Sequence, residues 1–284
     1  MPLDYLRLMA MRDEDLPVRY DWKKSSLYAL SVGMARDPLN AQELAYVFEK
    51  EGPKTLPSLA TVISQVKALP DADCGWDAAK VLHGEQRLEL FRPLPPAAEL
   101  VISQRVVEAY DRGEKGALIL TELEARLKDD GALLYRLGNS LVARGDGGFG
   151  GRSGSGPAPH ALPAREPDRV FEVPTQPGQA LFYRLLGDIN PLHVDPQLAA
   201  RAGFTRPILH GRCVFGIACF GVVAGACGYD GSRIRVFNAR FTAVTFPGET
   251  LLVDQWINDS VISFRCRVKE RNVVVLSNGY CELA

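Results

Sequence analysis

The stretch CVFGIACFGVVAGACGY, from Cys213 to Tyr229, carries no charged side chain, and it decides how the rest of the chain must pack. A membrane span needs roughly 20 apolar residues. This run is shorter than that and holds several glycines, so we favour a helix that is buried inside a protein core. A helix of this kind needs other elements, such as a sheet, wrapped around it.

The residues that follow this run have the pattern of antiparallel strands. In VISFRCRVK the apolar side chains alternate with polar ones and share one face: Ile262, Phe264, Cys266 and Val268. That period of two is typical of a strand with one buried side. FNARFTAVTFPGETLLVDQWI precedes it, with a turn at Pro247 and Gly248, and VVVLSNGYCEL follows it. We therefore predict an antiparallel sheet that curls around the helix.

The first half of the chain repeats this plan. LPSLATVISQVKAL, residues 56–69, is a helix candidate, and the strand-like runs RLELFRPLPPAAELVISQRVVEAY, ALILTELEARLKD and ALLYRLGNSLVAR follow it. We predict an α+β fold of two repeats, each with one long helix and an antiparallel sheet. The N-terminal repeat spans 1–143, a Gly/Pro-rich linker spans 144–169, and the C-terminal repeat spans 170–284. GGFGG in the linker lacks the strand and helix that flank a phosphate-binding loop.

Composition and charge exclude several classes of function. The 33 Lys and Arg residues against 34 Asp and Glu leave a formal charge of −1, so no global field favours nucleic acid or an anionic membrane surface. The six cysteines show no CxxC spacing, which indicates reduced thiols and no metal framework. The chain ends match neither a secretory signal nor an SKL-type peroxisomal address, so we expect a cytoplasmic protein.

The stretch GDINPLHVDP, residues 187–196, sets Asp188, Asn190 and His193 on a bend that two prolines stiffen. Asp and Asn are good turn residues, so the stretch could be a turn and nothing more. A carboxylate and an imidazole on such a bend can also converge on one water molecule, with an amide between them that holds it. A metal site is the rival use, but Asp195 and His210 give no recognised ligand spacing, and we expect no metal.

A second polar point lies at His210 and Gly211, where the apolar helix begins. Glycine lets a ligand approach the backbone closely, and a helix N-terminus offers unpaired N–H groups, which together make an oxyanion hole. The simpler interpretation is a glycine cap that serves only the helix. The pair His83–Gly84 recurs in the first half, where we predict binding rather than catalysis. The segment YALSVGMARDPLN, residues 28–40, matches the second-half motif but has no histidine, which indicates one active centre, in the second half.

The segment YRLLGDINPLHVDPQLAARAGFTRPILHG resembles the hydratase 2 motif of the MaoC-like R-specific enoyl-CoA hydratases. VLHGEQRLELFRPLP and GGFGG resemble the hydratase part of the peroxisomal multifunctional β-oxidation enzyme. The resemblance covers nearly the whole chain and implies a double hot-dog fold, in which each repeat wraps a sheet around a helix. It further implies addition of water to a trans-2-enoyl-CoA to give the (3R)-3-hydroxyacyl-CoA, with no cofactor, in a homodimer.

The same resemblance implies a role for each motif residue. Asp188 and His193 match the acid/base pair that holds the water, Asn190 the amide that orients it, and Gly211 the donor to the thioester oxygen. The positions that match CoA contacts are His83, Gly84, Ile189, Pro191, Leu192 and Phe241. Arg112 stands where the family has a lysine, and it is either a phosphate contact or a solvated turn residue.

Two other functions fit the same fold. One is a binding module for acyl thioesters without catalysis, and the other is a hot-dog thioesterase that attacks the carbonyl carbon instead of C3. The presence of Asp188, Asn190, His193 and Gly211 together favours hydration over both.

Overall fold

A computed structural model describes residues 3–64, 66, 69–70, 74–76 and 80–284 of the chain. Its helices are α1 Tyr5–Ala10, α2 Trp22–Ser31, α3 Ala41–Leu44, α4 Ala60–Ile63, α5 Gln179–Tyr183, α6 Pro196–Arg201 and α7 Gly211–Ala226. Its strands are β1 Arg12–Tyr20, β2 Val81–Leu90, β3 Ala98–Asp111, β4 Ala117–Leu127, β5 Leu133–Ala143, β6 Arg152–Ser153, β7 Arg169–Pro174, β8 Ile234–Phe241, β9 Thr250–Asn258, β10 Val261–Val268 and β11 Val273–Leu283. No helix among these residues is long and apolar enough to cross a membrane.

The strands of both halves form one continuous sheet with the order β1-β3-β4-β5-β2-β8-β11-β10-β9-β7. All pairs along this path are antiparallel, while the short β6 lies parallel to β3. The halves meet where β2 pairs with β8, in the register Glu85↔Arg240 to Glu89↔Val236. Arg240 Nε lies 3.2 Å from Glu85 Oε2 at this junction. The first-half strands therefore lie on one side of the junction and the second-half strands on the other.

Helix α7 is the buried helix that the apolar run predicts, and every residue from Cys213 to Val223 is buried. Its glycines are explained by close contact with the sheet. A Cβ added at Gly221 would stand 2.8 Å from the side chain of Val253 on β9, and one at Gly225 would stand 2.5 Å from Gln255. The glycines therefore let the sheet approach the helix backbone, as a wrapped helix requires.

The predicted alternation of the second-half strands is confirmed, because Ile262, Phe264, Cys266 and Val268 are fully buried. The edge strands β1 and β7 were not anticipated. The sequence of β1, RDEDLPVRY, is mostly polar and has no clean period of two, and β7 is only six residues long. Edge strands of this kind carry little of the pattern by which central strands are recognised.

The long helix predicted for the first half is wrong within the described residues. The segment Leu56–Ile63 is entirely buried, but it forms a short 3-10 turn followed by α4, which ends at Ile63. Ser64 is a turn residue, its hydroxyl lies 2.5 Å from that of Tyr135 on β5, and Val66 and Leu69 are not helical. Residues 65, 67 and 68 lie outside the described residues. The first repeat therefore has a much shorter helix than the second.

The glycine-rich segment after β5 is attached to the turn between β3 and β4. The carboxylate of Asp111 accepts hydrogen bonds from the backbone N–H groups of Gly113, Gly148 and Gly150, at 2.8 to 2.9 Å. These bonds hold the pKa of Asp111 below its usual range. The backbone amides that a phosphate loop would offer to a ligand are bonded here to the protein's own carboxylate.

Candidate active site

The loop between α5 and α6 carries the polar motif, and its own side chains shape it. Gly187 turns the chain with φ +124°, a conformation that side chains disfavour. The Asn190 side-chain oxygen accepts the N–H of Leu192 at 3.0 Å and so begins the short turn Pro191–His193. Asp195 Oδ1 accepts two N–H groups at the start of α6. Because the Asn190 oxygen is used in this way, its NH₂ group is the part left to hold a water.

The tautomer of His193 follows from its hydrogen bond. Its Nδ1 lies 2.9 Å from the carbonyl oxygen of Ile208, and a carbonyl only accepts, so Nδ1 carries the proton. The lone pair is then on Nε2. Burial lowers the pKa of His193 below its usual value, while the bond to Ile208 and the charge of Asp188 oppose this shift. His193 is therefore neutral near pH 7, as a general base must be.

His210 lies beside Asp188 and His193, although from the sequence we placed it at the start of the helix and rejected it as a metal ligand. Its side chain is fully buried, and its ring centroid lies 3.7 Å from that of His193. Its Nε2 donates to the backbone oxygen of Asp188 at 3.1 Å. Burial, with the nearby His193, lowers the pKa of His210 to about 4, so the ring stays neutral. His210 thus joins the motif loop to the beginning of α7.

Asp188, His193 and His210 also form a group that could hold a metal ion. One potential ligand atom of each residue lies within 4.8 Å of the others. His210 has no recognised ligand spacing along the chain, and the fold nevertheless brings it close to Asp188 and His193. Zinc ligands lie about 2.0–2.2 Å from the ion and hence at most about 4 Å apart, and three atoms within 4.8 Å of one another come near that spacing. The absence of a metal stays a prediction.

Helix α7 begins beside this group. His210 is its N-cap and Gly211 its first residue, so the simpler alternative of a glycine cap is wrong, and no side chain of the described residues caps the helix. The first N–H groups of a helix have no partner within it. A Cβ at Gly211 would stand 3.3 Å from the ring of Phe241. Without one, the backbone amide at this position is open to a ligand.

The ring of Phe241 links this helix start to the first repeat. The ring centroids of His83 on β2 and Phe241 on β8 lie 4.6 Å apart. Burial, reinforced by the charge of Arg212, lowers the pKa of His83 to about 3. His83 is therefore a neutral ring, and its buried Nε2 has no hydrogen-bond partner within the part of the chain that the structure describes.

One cavity of about 770 Å³ collects most of the predicted residues. Six of them line it: Asp188, Asn190, His193, Gly211, His83 and Phe241. The sequence did not anticipate other lining residues, among which are Lys24, Thr61, Ser64, Asn139 and Arg212. Those on α2 and α4 could not be found from the motif, because they lie far from it in the chain.

The remaining predicted CoA contacts lie outside the lining of this cavity. Gly84 occupies an irregularity in the pairing of β2 with β5, where a Cβ would meet Ser140 Oγ at 2.9 Å. Arg112 lies in the turn between β3 and β4, and Ile189 is 69% exposed. Pro191 and Leu192 form part of the turn before His193. Their contacts with CoA stay predictions.

Comparison with known proteins identifies the family. Residues 160–278 match the MaoC like domain, and residues 18–145 match the MFE-2 hydratase 2 N-terminal domain. The chain belongs to the MaoC-like hydratase 2 family, and the resemblance seen in the sequence is confirmed.

The relatives of this chain are named as enoyl-CoA hydratases or dehydratases. It is 40% identical to the enoyl-CoA hydratase ChsH3 of Mycobacterium tuberculosis, over 84% of this chain and 85% of that protein. It is 35% identical to the peroxisomal enoyl-CoA hydratase 2 of Arabidopsis thaliana, over 97% and 94%. The crystal structure of a MaoC-like dehydratase from Phytophthora capsici superposes with a TM-score of 0.88 at 29% identity, over 99% and 98% of the two chains. A Mycobacterium tuberculosis protein with a double hotdog fold matches with a TM-score of 0.58 at 16% identity, over 99% and 97% of the chains, and this supports the fold alone. The predicted double hot-dog fold is confirmed.

Proposed function

We propose that this chain catalyses the reversible, R-specific hydration of trans-2-enoyl-CoA to (3R)-3-hydroxyacyl-CoA, in fatty acid β-oxidation or related acyl-CoA metabolism. It is a hydro-lyase that takes an acyl-CoA thioester as its substrate. The names of its relatives support this function. The observation that carries it is the single cavity that Asp188, His193 and Gly211 share.

The geometry supplies a role for each group. A water held between the Asp188 carboxylate and His193 Nε2 gives a proton to one of them as its oxygen bonds to C3. The electrons of the C2–C3 double bond move toward the thioester carbonyl, and the negative charge on its oxygen is met by the N–H of Gly211. A proton from the pair then goes to C2. The sum is the addition of one water, and the dehydration reverses each step.

The neutral state of His193 suits this cycle. Because Nδ1 is held by Ile208, the direction of the Nε2 lone pair is fixed, and a ring nitrogen of His193 lies within 4.8 Å of an Asp188 carboxylate oxygen. A pKa below the usual value of a histidine keeps that lone pair available at neutral pH and makes the protonated ring a ready donor to C2.

The test is to follow loss of the conjugated enoyl thioester after purified protein is added to crotonyl-, octenoyl- and decenoyl-CoA, and to assign the chirality of the product. A 3R alcohol supports hydration. Release of free CoA with the double bond intact would indicate the thioesterase instead. Binding without turnover would indicate the non-catalytic module.

The variant Asp188→Asn tests the same assignment from the protein side. It keeps the size of the side chain and its place in the loop but removes the carboxylate. We expect turnover to fall by about 10²- to 10⁴-fold with the fold unchanged, because a positioned acid or base contributes that much. Near-normal turnover would refute the role of Asp188.

We also propose a cytoplasmic homodimer. Exposed apolar side chains beside the motif give a second copy a surface to cover: Leu181, Phe182, Leu185 and Ile189, each more than half exposed. Light scattering on the purified protein would measure the mass, and a monomer at micromolar concentration would contradict the dimer. The Arabidopsis relative is named as peroxisomal, so imaging of the tagged protein in its own cell is the test of location.

A further inference from the structure

Lys24 is a cationic group of the cavity that the hydration reaction does not use. It lies in the first turn of α2, with its backbone N–H bonded to Asp21, and its side chain lines the cavity. Burial lowers the pKa of its ammonium group, and no charged group acts against this shift. The ammonium has no ion pair or hydrogen bond with the described residues. Both partial burial and the positive end of a helix disfavour a cation there.

The acids of the cavity do not compensate this charge. Asp188 and Glu122 are the acidic residues among its described lining. Glu122 lies 2.8 Å from Arg105 and 3.7 Å from Arg136, and so is already paired. Asp188 belongs to the reacting pair. A cation that is costly to bury and has no partner among the described residues is best accounted for by an anion that arrives with the ligand.

Lys24 lies on α2 of the first repeat, whereas His193 and Gly211 lie on the loop and the helix of the second repeat. The largest charge effects on the pKa values of His83, His193 and His210 come from other residues. Arg212, by contrast, acts on His83, beside the predicted CoA contacts. The cavity is long enough for this separation, because Leu137 and Leu141 both line it and four residues of a strand span about 13 Å.

The first-repeat side of the cavity suits a hydrocarbon chain. Its apolar lining residues are Val66, Leu69, Leu123, Leu137 and Leu141. The hydroxyls there are already used, since Thr61 donates to the carbonyl of Ser58 and Ser64 bonds to Tyr135. A wall of this kind, with an ammonium that has no partner among the described residues, fits an acyl chain that ends in an anion.

We infer that Lys24 binds a carboxylate at the far end of the acyl chain, so that the enzyme takes enoyl-CoA thioesters of dicarboxylic acids. This inference rests on the proposed hydration. The ammonium donates a charge-assisted hydrogen bond to the carboxylate. This bond replaces the hydrogen bonds to water that each group loses in the cavity.

Two substrates of equal length separate the inference from the hydration itself. Initial rates are measured on trans-2-octenoyl-CoA and on trans-2-octenedioyl-CoA, with the wild type, Lys24→Met, Lys24→Arg and the control Lys23→Met. Lys23 is the adjacent exposed lysine, whose ammonium lies over the ring of Trp22. Lys24→Met is expected to raise KM for the dicarboxylic substrate by about 10- to 100-fold, which is the range for a hydrogen bond to a charged group.

The other arms are expected to stay close to the wild type. KM for octenoyl-CoA should change little in Lys24→Met, Lys24→Arg should retain the preference, and Lys23→Met should match the wild type on both substrates. The pantetheine thioester of octenedioic acid, which lacks the nucleotide phosphates, should show the same loss in Lys24→Met.

Two results would overturn the inference. One is a KM that Lys24→Met leaves unchanged for the dicarboxylic substrate. The other is an equal rise for both CoA thioesters that disappears with the pantetheine thioester, because Lys24 would then bind a phosphate of CoA. A wild type that fails to hydrate octenoyl-CoA would instead refute the proposed function.

Discussion

His193→Asn is the sharpest test of the base, because asparagine can keep the hydrogen bond that Nδ1 makes but has no group that replaces the basic Nε2. The Asn NH₂ group can occupy the position of Nδ1 and donate to the carbonyl of Ile208, which lies 2.9 Å from Nδ1. No lone pair then replaces that of Nε2. We expect kcat/KM to fall by about 10²- to 10⁴-fold. That loss corresponds to about 3 to 5 kcal/mol of transition-state stabilisation.

The companion variant His193→Ala separates catalysis from folding. It leaves the carbonyl of Ile208, a residue that is 8% exposed, without its donor. An unsatisfied buried acceptor costs about 1–3 kcal/mol, so this variant should unfold at a lower urea concentration than His193→Asn. Both variants should lose activity to a similar degree. Near-normal kcat/KM in His193→Asn would refute the assignment of Nε2 as the base, whatever the stabilities are.

Three further predictions concern stability and order. The pKa values of His210 and His83 in the folded protein, about 4 and about 3, lie below the usual 6.5, so the unfolded chain takes up protons on these rings first as the pH falls. The free energy of unfolding should therefore fall as the pH falls from 6.5 to 5. A urea midpoint that stays constant over this range would contradict the burial of both rings. Gly221→Ala should destabilise the protein by about 1–3 kcal/mol through overpacking, whereas the control Gly178→Ala, whose new Cβ has its nearest neighbour at 3.7 Å, should cost less in the same urea titration. Asp111→Ala should speed hydrogen exchange of the linker amides that bond to its carboxylate while kcat is unchanged, and unaltered exchange would show that other contacts hold this segment.

The parts of the fold that could be predicted are those whose pattern is local. The uncharged run predicts α7, and the period of two predicts β10. In both cases the hydrophobic pattern of consecutive residues shows whether one face or all sides of the element are buried. The length of the first-half helix could not be predicted, because it depends on a contact that is distant in the sequence. Its residues indicate burial but not length, and the helix gives way at Ser64, whose partner Tyr135 is 71 residues away.

The residues of the candidate site also include some that the sequence could predict and others that it could not. Asp188 and His193 could be predicted to converge because they are five residues apart on one bent loop, and the motif carries its own turn chemistry. His210 could not be placed against His193, because their contact depends on how α7 docks on the loop. The signal for it was its position directly before Gly211. Nothing in the sequence around Lys24 pointed to the cavity, since α2 belongs to the other repeat.

The two repeats make different contributions to one site, and the structure gives the reason. The second repeat has a full helix whose start meets the motif loop, and so it carries the groups that we propose react. The first repeat stops its helix at Ile63, and the lining of the cavity continues into the space beside it. The contact of His83 with Phe241 lies across the β2–β8 junction, so the wall of the cavity is complete only when both repeats are joined. A duplicated unit can therefore lose its own motif without loss of function, provided that it keeps the strand through which it completes its neighbour.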